Sequence, residues 1–293
     1  MKKTWLTSAT IVVVAIGLGA AAMAGGHGHQ RPMKKGILLV AFGTSIPEAR
    51  IAFNNIDKKV KAENPTIPVR WAYTSTIIRH KLAKKGIYYD SPEVALAKMM
   101  DQKFTHVAVQ SLHTIAGAEF HDLLRNAHAF QNMADGFDRI LVGYPLLSLD
   151  EDIVRVSEAI LNIVPKERKK EEAVIWMGHG THHPSNAFYA ALMFRLQQKD
   201  PNIFVGTVEG YPEIDDILPM LKKRRINKAW LLPLMSVAGD HARNDLAGDD
   251  EDSWKSILAR EGILCNVVLK GTAEYDVFVD IWLDHLKVAL AHF

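Results

Sequence analysis

A histidine between two glycines, Gly178-His179-Gly180, follows the short apolar run 174–177. Flanking glycines let a backbone turn sharply. That would leave the imidazole displayed at the carboxyl end of a strand, where open α/β sheets bind ligands. Neutral imidazole is a common metal ligand. A strand-end histidine is as often a plain turn residue, so its assignment depends on what the chain places beside it. Two residues further on have the right chemistry: Glu209 in Val208-Glu-Gly-Tyr-Pro212, and His241 closing Ala238-Gly-Asp-His241. Two imidazoles and a carboxylate form a borderline donor set suited to divalent cobalt, nickel, iron or zinc.

The elements that must position these groups alternate along the chain. The run 36–42 is wholly apolar after its glycine and reads as a buried strand, followed by the turn 43–47 and a helix through Lys61. Further strands are expected at 69–74, 106–112 and 139–142, with a helix opening at Ser91-Pro-Glu and another over 116–130. Strands alternating with helices at this spacing imply βαβ units and parallel sheets.

From Ala173 the programme runs again. Gly43-Thr44-x-x-Pro47 matches Gly180-Thr181-x-x-Pro184, the stretch 69–74 matches 204–209, and 113–119 matches 235–241. The order is kept, which points to internal duplication. The expectation is an α/β protein of two similar Rossmann-like domains, each with a parallel sheet flanked by helices, and a site in the cleft between them. The boundaries expected are 34–148 and 173–271. A linking helix and charged linker occupy 149–172, and the final helix, 272–293, packs on the first domain. The repeat isolates the chemistry: Phe42, Thr74 and Glu119 in the first half face His179, Glu209 and His241 in the second. Glu119 would lie across the cleft from the metal ligands.

Residues 1–24 carry Lys2 and Lys3, an apolar core and Ala22-Met-Ala24, the pattern of a cleaved secretory signal peptide. The expectation is a periplasmic protein with a flexible leader at 25–33 and no stable membrane insertion. Removing Lys2 and Lys3 from the 35 basic residues leaves 33 against 33 acidic. A neutral chain gives no electrostatic case for nucleic acid. The single cysteine, Cys265, excludes an internal disulfide.

The motifs Leu39-Val-Ala-Phe-Gly-Thr-Ser45, Gln110-Ser-Leu-His113, Met177-Gly-His-Gly-Thr181, Val208-Glu-Gly-Tyr-Pro212 and Pro233-Leu-Met-Ser-Val-Ala-Gly-Asp-His241 resemble those of the class II tetrapyrrole chelatases. Within them the chain is most similar to the anaerobic-type sirohydrochlorin cobaltochelatases, in an exported form. The likeness covers nearly all of residues 34–293. It implies ATP-independent insertion of cobalt(II), or also iron(II), into sirohydrochlorin, with the macrocycle in the inter-domain cleft. By resemblance His179 and His241 bind the incoming metal, Glu209 completes or supports that site, and Glu119 matches a further acidic residue of the cleft.

Other residues carry weaker signals. Phe42, Thr44, His113, His183 and Arg243 are candidate substrate contacts near the strand ends; one of His182 and His183 is expected near the mouth. His113 reads equally as a structural histidine, and Arg243, like Arg50 and Arg79, more as a solvated charge. Gly43-Thr-Ser is no phosphate loop, since no lysine follows the glycine. His121 and His128 are seven apart on one stripe of the helix over 116–130. Solvation explains them most simply; a haem or inter-subunit ligand is the sharper reading, and a homo-oligomer is expected. The alternative to an enzyme is a periplasmic carrier of metal or haem that reuses the chelatase fold.

Overall fold

A computed structural model describes residues 31–293; the expected signal peptide and residues 25–30 of the expected leader lie outside the described residues. The first half lays down β1 (Lys35–Ala41), α1 (Ile51–Glu63), β2 (Val69–Tyr73), α2 (Thr76–Ala83), α3 (Pro92–Asp101), β3 (His106–Ser111), α4 (Ala118–Gln131) and β4 (Arg139–Gly143). After α5 (Asp150–Ile163) come β5 (Ala173–Gly180), α6 (Ala187–Gln197), β6 (Ile203–Glu209), α7 (Ile214–Lys223), β7 (Lys228–Pro233), α8 (Trp254–Arg260), β8 (Leu264–Val267) and α9 (Asp276–Leu290).

Each half forms a four-stranded parallel sheet, and the strand orders correspond: β2-β1-β3-β4 and β6-β5-β7-β8. The central strands are apolar on both faces because helices cover both faces, as parallel sheets require. In β1, Leu38 and Val40 pack outward with α3 and α4, while Ile37 and Leu39 pack inward. In β5, Ile175 and Met177 pack outward with α7 and α8, while Val174 and Trp176 pack inward. The inward residues of both sheets share one core with α1, α5, α6 and α9. The result is helix, sheet, helix, sheet, helix, and residues 32–293 form one compact unit. Each fully buried Leu, Ile or Phe in it contributes roughly 1.5–3 kcal/mol.

Helix α9 packs against β3 and β4 of the first half. A buried polar pair fixes it there: His285 Nε2 is 3.0 Å from Asp152 Oδ1, and its Nδ1 is 3.0 Å from the Tyr144 carbonyl. Asp152 also accepts from the Ser148 and Leu149 backbone amides, capping α5. Cys265, in β8, has its thiol pushed up to about 11 by burial, so it is a packed group rather than a nucleophile.

Two local details differ from the sequence reading. β5 does not stop at Met177 but runs to Gly180, so His179 belongs to the sheet and not to a loose turn. Among the two flanking glycines only Gly180 has a left-handed conformation, φ +85°. Gly178 serves packing instead, since a Cβ there would collide with the Tyr189 ring.

Candidate active site

The repeated Gly-Thr pair performs the same task in both halves. Gly43 (φ +100°) and Gly180 (φ +85°) turn the chain out of β1 and β5. The hydroxyl that follows then accepts a backbone N–H two residues on: Thr44 Oγ1 from Ile46, and Thr181 Oγ1 from His183. This small turn holds the strand ends open towards a cavity of about 520 Å³ at the carboxyl ends of both sheets. Phe42, Thr44, His113, Glu119, His179, Glu209 and His241 all line it.

His179 and His241 meet edge to face, ring centres 4.6 Å apart. His179 lies one residue before the end of β5; His241 opens a π-turn, Ala242–Leu246, after β7. Each has its Nδ1 against an oxygen that only accepts: the Gly180 carbonyl at 3.0 Å for His179, and Asp245 Oδ2 at 2.6 Å for His241. Nδ1 therefore carries the proton in both rings, and both Nε2 lone pairs are left for a metal. A carboxylate behind a histidine in this way fixes its tautomer and raises its basicity as a ligand. Sequence reasoning misses Asp245; its i, i+4 spacing from His241 is the available signal.

Glu209, the third expected ligand, lines the same cavity as His179 and His241. Among the described residues no group of three His, Cys, Asp or Glu side chains is assembled to hold an ion. Glu209 stands opposite Gly180 in the parallel ladder, one step beyond His179. Gly180 leaves the pleat at this step with φ +85°, and Glu209 and His179 both line the cavity.

Across the cleft, His113 Nε2 lies 3.3 Å from Glu119 Oε2, and its Nδ1 is 2.8 Å from Ser111 Oγ. The contact is not aligned as a hydrogen bond, and the buried Nε2 has no other partner. Burial opposes ionisation of Glu119, but the contact with His113 and the nearness of His113 and His179 outweigh it and hold the carboxyl below its usual range. The Trp282 indole donates to the His113 carbonyl at 3.3 Å, tying α9 to this wall.

Three expected contacts sit differently. His182, not His183, lines the cavity. His183 Nδ1 accepts from the Ser185 amide at 3.2 Å, so the turn before α6 claims it. Arg243 lies in the π-turn outside the cavity lining. Thr44 lines the cavity but is 2% exposed, its hydroxyl spent on the turn. His121 and His128 are exposed on α4. The His121 ring lies 4.7 Å from His183, and its Nδ1 faces the Gly117 carbonyl at 2.9 Å.

Twin α/β sheets with two metal-ready imidazoles at the mouth of the cleft define a chelatase-type protein. Residues 35–291 match the family model for cobalt chelatase (CbiK). The chain belongs to that family. It is 46% identical over 263 residues to the sirohydrochlorin cobaltochelatase CbiKC of Nitratidesulfovibrio vulgaris, covering 90% of this chain and 93% of that one. It is 37% identical to the sirohydrochlorin cobaltochelatase of Salmonella typhimurium, covering 88% and 97%. Among solved structures, SirB from Bacillus subtilis with Fe3+ superposes with a TM-score of 0.57 at 16% identity, covering 89% of this chain and 99% of that one. That likeness concerns the fold.

Proposed function

We propose that this protein is a sirohydrochlorin cobaltochelatase, inserting cobalt(II) into the macrocycle without ATP. The observation that carries the reading is the pair of adjacent imidazoles, His179 and His241, each with Nδ1 tied to an acceptor and Nε2 left over as a donor to metal. The family match and the two named relatives support the same substrate and metal.

The chemistry is an exchange of one dication for two pyrrole N–H protons. The two Nε2 atoms replace water on the incoming cobalt and hold it at the cleft wall. Glu209, at the end of β6, is the near carboxylate, serving as a further donor or as proton acceptor. Glu119, kept ionised on the opposite wall beside His113, draws the dication across the ring. Phe42, its ring 6.4 Å from that of His179, supplies an apolar surface for the macrocycle.

Iron(II) is a second metal that the same donors admit. His121 is the residue suited to bind haem, since its Nε2 lone pair is free of the Gly117 contact; His128 is the expected companion only through a second subunit. Addition of haem to the wild type and to His121→Ala, followed by the Soret band, tests this. Export to the periplasm rests on Ala22-Met-Ala24; amino-terminal sequencing of the native protein should begin after Ala24, and an intact Met1 would refute it.

The test of the enzyme itself is direct. Purified protein is mixed with sirohydrochlorin and cobalt(II), and the visible spectrum of the macrocycle is followed. Cobalt-dependent conversion above the uncatalysed rate supports the chelatase; binding of metal without conversion supports a carrier.

A further inference from the structure

The cavity is a poor electrostatic match for a macrocycle edged with carboxylates. Its walls carry the carboxylates of Glu119, Glu209 and Asp240. Among the described residues that line it, Lys81 is the one lysine or arginine. Lys81 lies on α2 one turn after Ile77, and residues four apart share a helix face. Ile77 is 68% exposed and lines the same cavity. This face of α2 therefore joins an uncovered apolar shelf to a cation, the combination that a flat apolar ring with an anionic rim requires.

Lys81 is already engaged. Its Nζ lies 3.0 Å from Oδ2 of Asp240, which belongs to the other half of the chain and immediately precedes His241. The bridge thus spans the cleft beside the metal-binding pair. Both side chains are substantially solvated, 52% and 39% exposed. Exposed ion pairs of this kind are weak and readily exchanged. A substrate carboxylate can replace Asp240 on the ammonium without leaving any buried charge unpaired, while Asp240 turns to water.

We propose that Lys81 is the residue that binds a peripheral carboxylate of the macrocycle, and that Asp240 holds its ammonium across the cleft until that carboxylate displaces it. The proposal rests on the chelatase reading. It makes the Lys81–Asp240 bridge a placeholder for substrate rather than a structural clamp.

The test is a titration of metal-free sirohydrochlorin into the full chain, read by absorbance with no cobalt present. Lys81→Met keeps the alkyl stem and removes the charge; it should raise Kd about tenfold, as expected for a lost charge-assisted contact at a partly solvated site. Lys81→Arg should bind close to wild type. Asp240→Asn should bind as tightly as wild type or more so, because it frees the ammonium. An unchanged Kd in Lys81→Met, or a Kd raised by Asp240→Asn as far as by Lys81→Met, would overturn the proposal. Failure of the wild type itself to bind the macrocycle would instead overturn the chelatase reading.

Discussion

The ring of His241 stands at 89° to that of His179, and the Asp245 carboxylate lies 2.6 Å behind it. His179 lies in β5, and His241 comes from the connection after β7, its neighbour in the ladder. The connection after β7 folds back over the sheet so that the two ring centres lie 4.6 Å apart. The carboxylate behind His241 decides which nitrogen is offered.

Asp245 is therefore a positioning residue. Asp245→Ala should weaken cobalt handling about 10- to 100-fold, the usual consequence of removing such a partner. The effect should appear in KM for cobalt, while the Kd for metal-free sirohydrochlorin stays at the wild-type value. Steady-state rates at varied cobalt, set beside a macrocycle titration, make the distinction.

Gly180 sets the angle at which β5 delivers His179. A Cβ at this position would overlap the Glu209 carbonyl oxygen, and its φ is +85°. Gly180→Ala should destabilise the fold by at least about 2 kcal/mol, combining strain with displacement of β6. Gly262 is the control: its φ is +75°, but nothing lies within 4 Å of the place a methyl group would take. Gly262→Ala should cost about 1 kcal/mol from backbone strain alone. Equal denaturation midpoints for the two variants would show that the β5–β6 contact is not the tight one.

The pair of Asp152 and His285 gives the fold an acid limit. Burial works against ionisation of Asp152, but the His285 hydrogen bond, the Leu149 amide, the His285 charge and the Ser148 amide together hold its carboxyl below the usual range. A depressed carboxyl pKa stabilises fully above the unfolded value, about 3.9, and the stabilisation is lost as pH falls through the folded value. Asp152→Asn should cost about 3 kcal/mol at neutral pH, because it leaves His285 buried without its anion. Urea unfolding at pH 7 and at pH 3 should show the gap between variant and wild type narrowing in acid. A constant gap would contradict this assignment.

The duplication makes much of the site legible. His179, Glu209 and His241 stand out because Phe42, Thr74 and Glu119 occupy the matching places, and the matching strand orders carry that correspondence into three dimensions. What escapes the sequence depends on side-chain direction or on distance along the chain. Asp245 meets His241 through a π-turn, a local geometry with no compositional mark. His183 has the chemistry of a substrate contact, but its ring is captured by Ser185 next to it. The Lys81–Asp240 and Asp152–His285 pairs join residues far apart in sequence, where no periodicity reaches. Helix α2, which carries Lys81, is only eight residues long, too short for its apolar spacing to mark it.

The central claim is that His179 and His241 hand cobalt to the macrocycle. Its most direct test is the initial rate of cobalt(II) insertion into sirohydrochlorin by His241→Ala at limiting cobalt, with circular dichroism as the folding control. His241 lies at the cavity wall, partly exposed, so its truncation opens no core void. The expected result is a folded protein whose rate falls about 100-fold or more, the scale expected when a metal ligand is removed rather than its support. A folded His241→Ala protein that inserts cobalt at the wild-type rate would contradict the claim.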